Sequence, residues 1–203
     1  MYMLQQGTPF VYQGQEIGMT NMPLPDLNMY KDVMTFNSAR ILSKFLPKKK
    51  VLELVQSGTR ENARSPMQWD DGPNAGFTTG RPWFFVNGNY HEVNVRTEQD
   101  DPDSLLNFYK KLISFRKASP VVLRGEDREY MPKDKNFYVY ERRYFEKRLL
   151  VICSFSAGQH RFNAPEDIDL SKWTLVLSNY DVNFFISNGF TTRPYELRVY
   201  LFA

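Results

Sequence analysis

Two arginines spaced four residues apart are the side chains of this sequence best suited to recognising a ligand. Arg60 and Arg64 lie in the run Thr-Arg-Glu-Asn-Ala-Arg-Ser-Pro-Met-Gln-Trp. A guanidinium group presents a rigid fork of N–H donors, which can pair with a carboxylate or donate to hydroxyl groups. Each arginine could instead form a salt bridge that stabilises a loop. The spacing therefore indicates either a binding site for a polar ligand or a braced loop.

Carboxylates and nucleophiles give weaker indications. Asp70 and Asp71 are adjacent, and because neighbouring side chains diverge in direction they form a poor acid/base pair. Glu16 follows an apolar segment. A carboxylate at such a position can border a binding cleft or brace the following loop, and we favour the role as a brace. No serine or cysteine has an evident histidine partner. The sequence thus predicts no self-contained set of catalytic residues.

Three aromatic residues accompany the arginine pair in one long segment, namely Trp69, Phe77 and Trp83. Their rings could stack on the face of a sugar, although aromatic residues in a long loop more often pack that loop down. The segment from Thr59 to Asn94 is rich in Gly, Pro and Asn and shows no sustained hydrophobic period. Irregular stretches of this length inside compact proteins are commonly functional.

Composition excludes several classes of protein. The 203 residues include 16 Phe, 12 Tyr and 3 Trp, so the chain needs a core and is not a disordered protein. A single cysteine excludes a disulfide scaffold, and two histidines exclude a structural zinc site. A net charge of +3 is too small to indicate a nucleic-acid partner. We expect no metal and no cofactor.

Targeting signals are absent from the sequence. The first residues lack a basic region and a cleavage site, and no stretch approaches the ~18 apolar residues of a membrane span. The lone cysteine, Cys153, lies in an apolar run and is expected to be a small core residue. These features predict a cytoplasmic location and no membrane partner.

Hydrophobic spacing predicts an α/β portion followed by an all-β portion. Residues 8–12 are apolar and bounded by glycines, which is typical of a buried strand. The six residues before Gly7 resemble the end of a helix, so we expect that the chain was cut from something larger. Three helices are predicted to follow. The first carries apolar positions at Tyr30, Met34, Ile41 and Phe45, the second spans 51–55, and the third spans 105–115 with acidic residues before it.

After Pro120 the pattern changes to short strands. Residues 136–143 and 148–155 predict a hairpin, and 173–177 and 195–202 predict two further strands. An antiparallel β-sandwich is the architecture that this pattern favours. We therefore divide the chain into residues 1–119 and residues 120–203.

Long motifs in this sequence resemble the α-amylase superfamily, glycoside hydrolase family 13. Residues 7–21 resemble its eighth barrel strand and the turn after it, and residues 60–69 with 73–78 resemble its α-glucosidase branch. Residues 193–200 resemble the end of the family's C-terminal β domain. The resemblance runs nearly end to end and is nearest to oligo-1,6-glucosidases and dextran glucosidases.

This resemblance implies the last βα unit of a (β/α)8 TIM barrel, within residues 1–119, and a C-terminal antiparallel β-sandwich. Such enzymes are retaining glycosidases whose nucleophile, acid/base and helper carboxylates precede the strand-eight motif. The resemblance thus implies that this chain lacks them, that it works with a missing N-terminal barrel portion of the same protein, and that alone it is inactive. The implied activity of the whole protein is hydrolysis of α-1,6 or α-1,4 glucosidic bonds in short oligosaccharides.

Residue roles implied by the resemblance centre on Arg60. It matches the arginine that holds the non-reducing-end glucose and pairs with a carboxylate on an early loop. Arg64 matches a second arginine of structural or binding role, and Glu16 matches a position that does not touch substrate. Met34 stands where many relatives carry an acidic residue near the sugar beyond the scissile bond, which a thioether cannot replace as an acceptor.

Three alternatives to this function remain open. One is a trehalose-6-phosphate hydrolase or a sucrose-isomerase-like relative, because the residues that choose the bond lie outside the chain. A second is a glucosidase-like heavy subunit of a transporter, disfavoured because the sequence contains no Asn-x-Ser/Thr acceptor site. A third is a free-standing sugar-binding module after Pro120, disfavoured because no aromatic platform is evident there.

Overall fold

The computed structural model describes residues 1–182 and 188–202, and all structural statements below concern these residues. The α-helices are α1 (Val33–Leu42), α2 (Lys48–Gly58), α3 (Val95–Asp100), α4 (Leu105–Ala118) and α5 (Pro120–Arg124). The strands are β1 (Glu126–Tyr130), β2 (Phe137–Tyr144), β3 (Lys147–Ser154), β4 (His160–Asn163), β5 (Thr174–Ser178), β6 (Gly189–Thr192) and β7 (Leu197–Phe202).

The chain divides into two compact units. One comprises Met1–Phe10 with Lys110–Ala203 and holds every described strand, and we call it the β-rich unit. The other comprises Val11–Tyr109 and consists of helices, 3₁₀ turns and irregular segments, and we call it the loop-rich unit.

Antiparallel pairing organises the β-rich unit into two sheets. The larger has the order β1-β2-β3-β7-β5, and the smaller pairs β4 with β6. The hairpin of β2 and β3 was predicted, and so were β5 and β7. The other three strands were missed because β1 is highly charged and the remaining two have only four residues each. Pairing with neighbours, rather than intrinsic preference, creates such strands.

Every second residue of the central strands faces the same side of the sheet, and these residues form the core of the β-rich unit. Val139, Leu150 and Ile152 are almost fully buried and pack with aromatic residues of both sheets. The rings of Phe162 and Phe190 lie 5.1 Å apart across β4 and β6. The sequence expectation of a buried Cys153 is met, and burial raises its pKa to about 11.

A buried charge network lies on the same sheet. Arg148 donates to both oxygens of Glu141, at 2.5 and 2.9 Å, and the Tyr130 hydroxyl donates to Glu141 Oε2 at 2.8 Å. Burial by itself would raise the pKa of Glu141, but these hydrogen bonds outweigh it and hold that pKa below its ordinary value. Burial, followed by the bond to Glu141, raises the pKa of Tyr130 to about 12.

The prediction of a buried strand at residues 8–12 is wrong. No residue of this segment pairs with a strand, and Phe10, Val11 and Tyr12 are exposed. The physical reason is that a strand needs a neighbour for its N–H and C=O groups, and none of the described strands lies beside this one. The residues before it form a single 3₁₀ turn, Tyr2–Leu4, rather than the end of an α-helix.

Helix α1 exists where it was predicted, but its buried face is different. Met34 and Ile41 are exposed, Phe45 lies beyond the helix end and is also exposed, whereas Thr35 and Ala39 are buried. Spacing identifies an apolar stripe but not the surface that covers it. Helices α2 and α4 lie where the sequence placed the second and third helices, and three 3₁₀ turns interrupt residues 59–94.

A small core stabilises the loop-rich unit. Val51 and Val55 of α2 are buried against Tyr30, Ala39 and Phe84. Since α2 also carries exposed residues on its opposite side, only one face of the helix contributes to this core. This core therefore connects the segment that precedes α1 with the segment that follows α2.

Candidate binding site

An ion pair between Asp32 and Arg60 forms the centre of the site. Asp32 precedes α1 and caps it, since its Oδ2 accepts the backbone N–H of Thr35 at 3.2 Å. Arg60 begins the 3₁₀ turn that follows α2, and its Nη2 donates to Asp32 Oδ1 at 2.6 Å. The acid side chain is 5% exposed, whereas the arginine side chain is 59% exposed. The carboxylate is therefore buried and the guanidinium half free to meet a ligand.

Electrostatics keep Asp32 ionised. The hydrogen bond from Arg60 holds the pKa of Asp32 below its ordinary value, and burial opposes this without overcoming it. Arg64 adds a second positive charge, with its Nη1 3.8 Å from Asp32 Oδ1. The structure thus brings both sequence-predicted arginines to one carboxylate. Asp32 was missed as a partner, and its one visible signal was an aspartate immediately before a helix.

Two further bonds tie the same segments together. The hydroxyls of Thr35 and Thr59 lie 2.8 Å apart, and the backbone N–H of Lys31 donates to Glu61 Oε1 at 2.7 Å. These bonds join residues that lie before and after Asp32 in the sequence to the two residues next to Arg60. Such bracing fixes the position of Arg60 before any ligand arrives, which lowers the entropy cost of binding.

Two buried polar atoms beside this bracing have no hydrogen-bond partner within the described residues. They are Glu61 Oε2 and the Tyr30 hydroxyl. Burial raises the pKa of Tyr30, and the charge of Glu61 raises it further. Unsatisfied polar groups are costly, and similar buried atoms occur at Glu16, Gln68 and Arg142.

A cleft of about 330 Å³ opens beside the ion pair. Asp32 and Arg60 lie on its wall with the exposed thioether of Met34 and with Leu54 and Val55 of apolar character. Polar donors beside apolar surface are the usual lining of a small-molecule site. Since Asp32 already accepts from Arg60, the arrangement is suited to binding and orienting a polar ligand rather than to proton transfer.

The other acidic candidates lie away from this cluster. Glu16 sits in the 3₁₀ turn Gln15–Ile17, where its Oε2 is buried without a partner in the described part of the chain. Asp70 accepts the backbone N–H of Gly72 at 2.8 Å, and Arg96 bridges Asp70 and Asp71 at 3.1 and 3.4 Å. The adjacent pair therefore closes a turn rather than forming an acid/base pair.

Within residues 1–182 and 188–202, no helix is long and apolar enough to cross a membrane, and no three His, Cys, Asp or Glu side chains group where they could hold a metal ion.

The sequence of this chain matches one protein family and is similar to that of several known proteins. The family described as "Alpha amylase, catalytic domain" matches residues 1–125. A probable oligo-1,6-glucosidase 2 of Bacillus subtilis is 42% identical over 97% of this chain and 35% of its own length. The oligo-1,6-glucosidase of Bacillus cereus is 40% identical over 97% of this chain and 36% of its own length.

The fold of this chain is also similar to that of a solved structure. The crystal structure of Bacillus licheniformis trehalose-6-phosphate hydrolase superposes with a TM-score of 0.91 at 37% identity, covering 98% of this chain and 36% of that chain. The chain spans little more than a third of the length of the relatives it matches. Because the family match extends over more than half of its residues, the chain belongs to the α-amylase family of glycoside hydrolases.

Proposed function

We propose that the chain is part of a retaining α-glucosidase that hydrolyses α-1,6 or α-1,4 glucosidic bonds of short oligosaccharides. The observation that carries this proposal is the Asp32–Arg60 pair, whose half-exposed guanidinium borders a cleft in a chain of this family. The similar oligo-1,6-glucosidases support the α-1,6 preference.

Arg60 acts in this proposal by holding a glucose unit. One of its nitrogens is occupied by Asp32, and its remaining N–H groups are free to donate to neighbouring hydroxyls of one sugar ring. The buried carboxylate fixes the direction of the fork, and the bonds at Thr59 and Glu61 fix its position. Binding energy from such a positioned sugar can be used to orient the scissile bond.

The proposal includes an architecture. In the whole enzyme, residues 1–119 contribute the last slice of a (β/α)8 barrel, with segment 8–12 pairing as a strand only with neighbours from the rest of the barrel, and residues 120–203 form a C-terminal antiparallel β-sandwich. The family match to residues 1–125 and the position of the seven described strands, which all follow residue 125, support this division. The nucleophile and the acid/base carboxylate are contributed by the remainder of the enzyme's barrel, with Arg60 delivering the sugar to them.

Trehalose-6-phosphate hydrolysis is the second candidate, favoured by the superposition on the Bacillus licheniformis enzyme. The two activities are separated by assaying the whole enzyme with isomaltose and with trehalose 6-phosphate. Faster turnover of isomaltose supports the leading proposal, and faster turnover of the phosphorylated sugar replaces it with the second.

The direct experiment compares the 203-residue chain with the whole enzyme on a chromogenic α-glucoside. The whole enzyme should turn the substrate over, and the pure chain should not, because the chemistry needs two carboxylates flanking the bond. Turnover by the pure chain would overturn the proposed placement of the catalytic groups.

A further inference from the structure

A second groove in the loop-rich unit has the features of a sugar-binding surface. It encloses about 530 Å³, which falls within the ~300–1,000 Å³ of small-molecule sites. Its wall combines aromatic rings with cationic side chains, namely Lys31, Arg81, Trp83 and Phe85 among others. None of the residues that pair with Asp32 lines this groove.

The indole of Trp83 is held in place and yet open to solvent. Its ring stacks on Phe84 with centroids 5.3 Å apart and planes inclined by 30°. Phe84 is buried, whereas Trp83 is 52% exposed and the neighbouring Phe85 is also exposed. An indole fixed from one side presents a flat apolar face at low entropic cost, which suits the C–H face of a pyranose.

Arg81 supplies donors beside this face. Its side chain is exposed and makes no hydrogen bond or ion pair within residues 1–182 and 188–202. The loop before it is fixed by the Asn74 amide, which donates to the carbonyls of Thr78 and Gly80 at 3.0 and 3.1 Å. A free guanidinium on a fixed loop can donate to two adjacent hydroxyls of a sugar.

Lys31 connects the groove to the Asp32–Arg60 site. Its ammonium group donates to the Trp83 carbonyl at 3.1 Å, and its backbone N–H is held by Glu61, the neighbour of Arg60. The groove therefore includes the residue immediately before Asp32 along the chain.

We propose that the Trp83 groove binds a further glucosyl unit of an oligosaccharide, stacked on the indole and hydrogen-bonded by Arg81. The choice of a gluco-oligosaccharide rests on the proposed function. The sugar face explains the exposed indole, and the hydroxyl groups explain the unpaired guanidinium.

Indole N–H signals of the three tryptophans, recorded by NMR on the full chain, test this proposal. Isomaltotriose should move the Trp83 signal in a saturable way and leave the Trp69 and Trp173 signals in place. Trp69→Phe and Trp83→Phe assign the signals. Trp69 is a matched control because it is 51% exposed and lies outside the groove.

Two variants test the residues individually. Trp83→Ala should weaken isomaltotriose binding about tenfold, and Arg81→Ala should weaken it severalfold, whereas Trp69→Ala should leave it unchanged. Saturable movement of Trp83 that persists in Arg60→Ala supports the groove even if the proposed role of Arg60 fails. The proposal is overturned if isomaltotriose causes no saturable shift of the Trp83 signal. It is also overturned if inorganic phosphate or trehalose 6-phosphate binds and isomaltotriose does not.

Discussion

One buried acid in each unit, Glu141 and Asp32, pairs with an arginine in a contrasting way. In the β-rich unit both oxygens of Glu141 are bonded, and its partner Arg148 is only 25% exposed. In the loop-rich unit Asp32 is equally buried, but its partner Arg60 is 59% exposed and borders a cleft. The first pair is closed within the fold, whereas the second leaves donors facing outward.

This difference supports the proposal that the Asp32–Arg60 pair serves binding, whereas the Glu141–Arg148 pair serves stability. A fully bonded, buried pair specifies the packing of a sheet. A carboxylate that fixes a half-exposed arginine instead prepares a donor for a ligand.

Truncating the core of the β-rich unit should give the largest loss of stability. Leu150 is fully buried on the central strand β3, so Leu150→Ala should lower the free energy of unfolding by about 3 kcal/mol. Leu123→Ala, at a half-exposed leucine of the same unit, is the control and should cost less than about 0.5 kcal/mol. Urea unfolding measures both. Equal losses would contradict the placement of the core.

Removing the charge of Glu141 should have the next largest effect. Glu141→Gln should cost about 2 kcal/mol at neutral pH, because the bonds from Arg148 lose their charged acceptor. The folded-state pKa is depressed, so the contribution is fully present above the ordinary value of 4.5 and is lost as pH falls through the lower folded value.

The pH dependence separates this pair from a surface acid. Unfolding free energy of the unmodified chain should decline below about pH 4.5, and Glu141→Gln should flatten that decline. Glu146→Gln, at an exposed position of the same hairpin, should leave the slope as it is. An unchanged slope in Glu141→Gln would show that the network does not stabilise the sheet.

Helix α2 allows a smaller test in the loop-rich unit. Val51 is fully buried and Leu54 is half-exposed on the same helix. Val51→Ala should cost about 1.5 kcal/mol, from the loss of two methyl groups, and Leu54→Ala should cost less than about 0.5 kcal/mol. Thermal or urea unfolding distinguishes them. The reverse order would mean that the other face of α2 carries the packing.

Sequence patterns predicted local features better than long-range ones. The hairpin of β2 and β3 follows from two strand-like runs joined by a short connection, and the helix α4 follows from acidic residues before an apolar stripe. The strand β1 was not predictable, because Glu-Asp-Arg-Glu-Tyr becomes a strand only by pairing with β2. The 8–12 segment failed for the converse reason, since its sequence favours a strand but no neighbour pairs with it.

The site shows the same limit. The spacing of Arg60 and Arg64 indicated either a binding site for a polar ligand or a braced loop. Asp32 lies 28 residues before Arg60, and no local pattern could pair them. Nor could spacing show that Met34 and Ile41 of α1 would be exposed. Contacts between distant segments depend on packing that a single sequence does not display.

The most direct measurement compares kcat/KM on isomaltose with the free energy of unfolding for Arg60→Ala in the whole enzyme. Removing Arg60 leaves the buried Asp32 carboxylate with Arg64 alone, so it should lower the free energy of unfolding by about 1–2 kcal/mol without unfolding the enzyme. Loss of its donors to the sugar should lower kcat/KM by about a hundredfold, and Arg64→Ala serves as the neighbouring control. An unchanged kcat/KM, or a loss of stability that accounts for the whole effect, would contradict a sugar-binding role for Arg60.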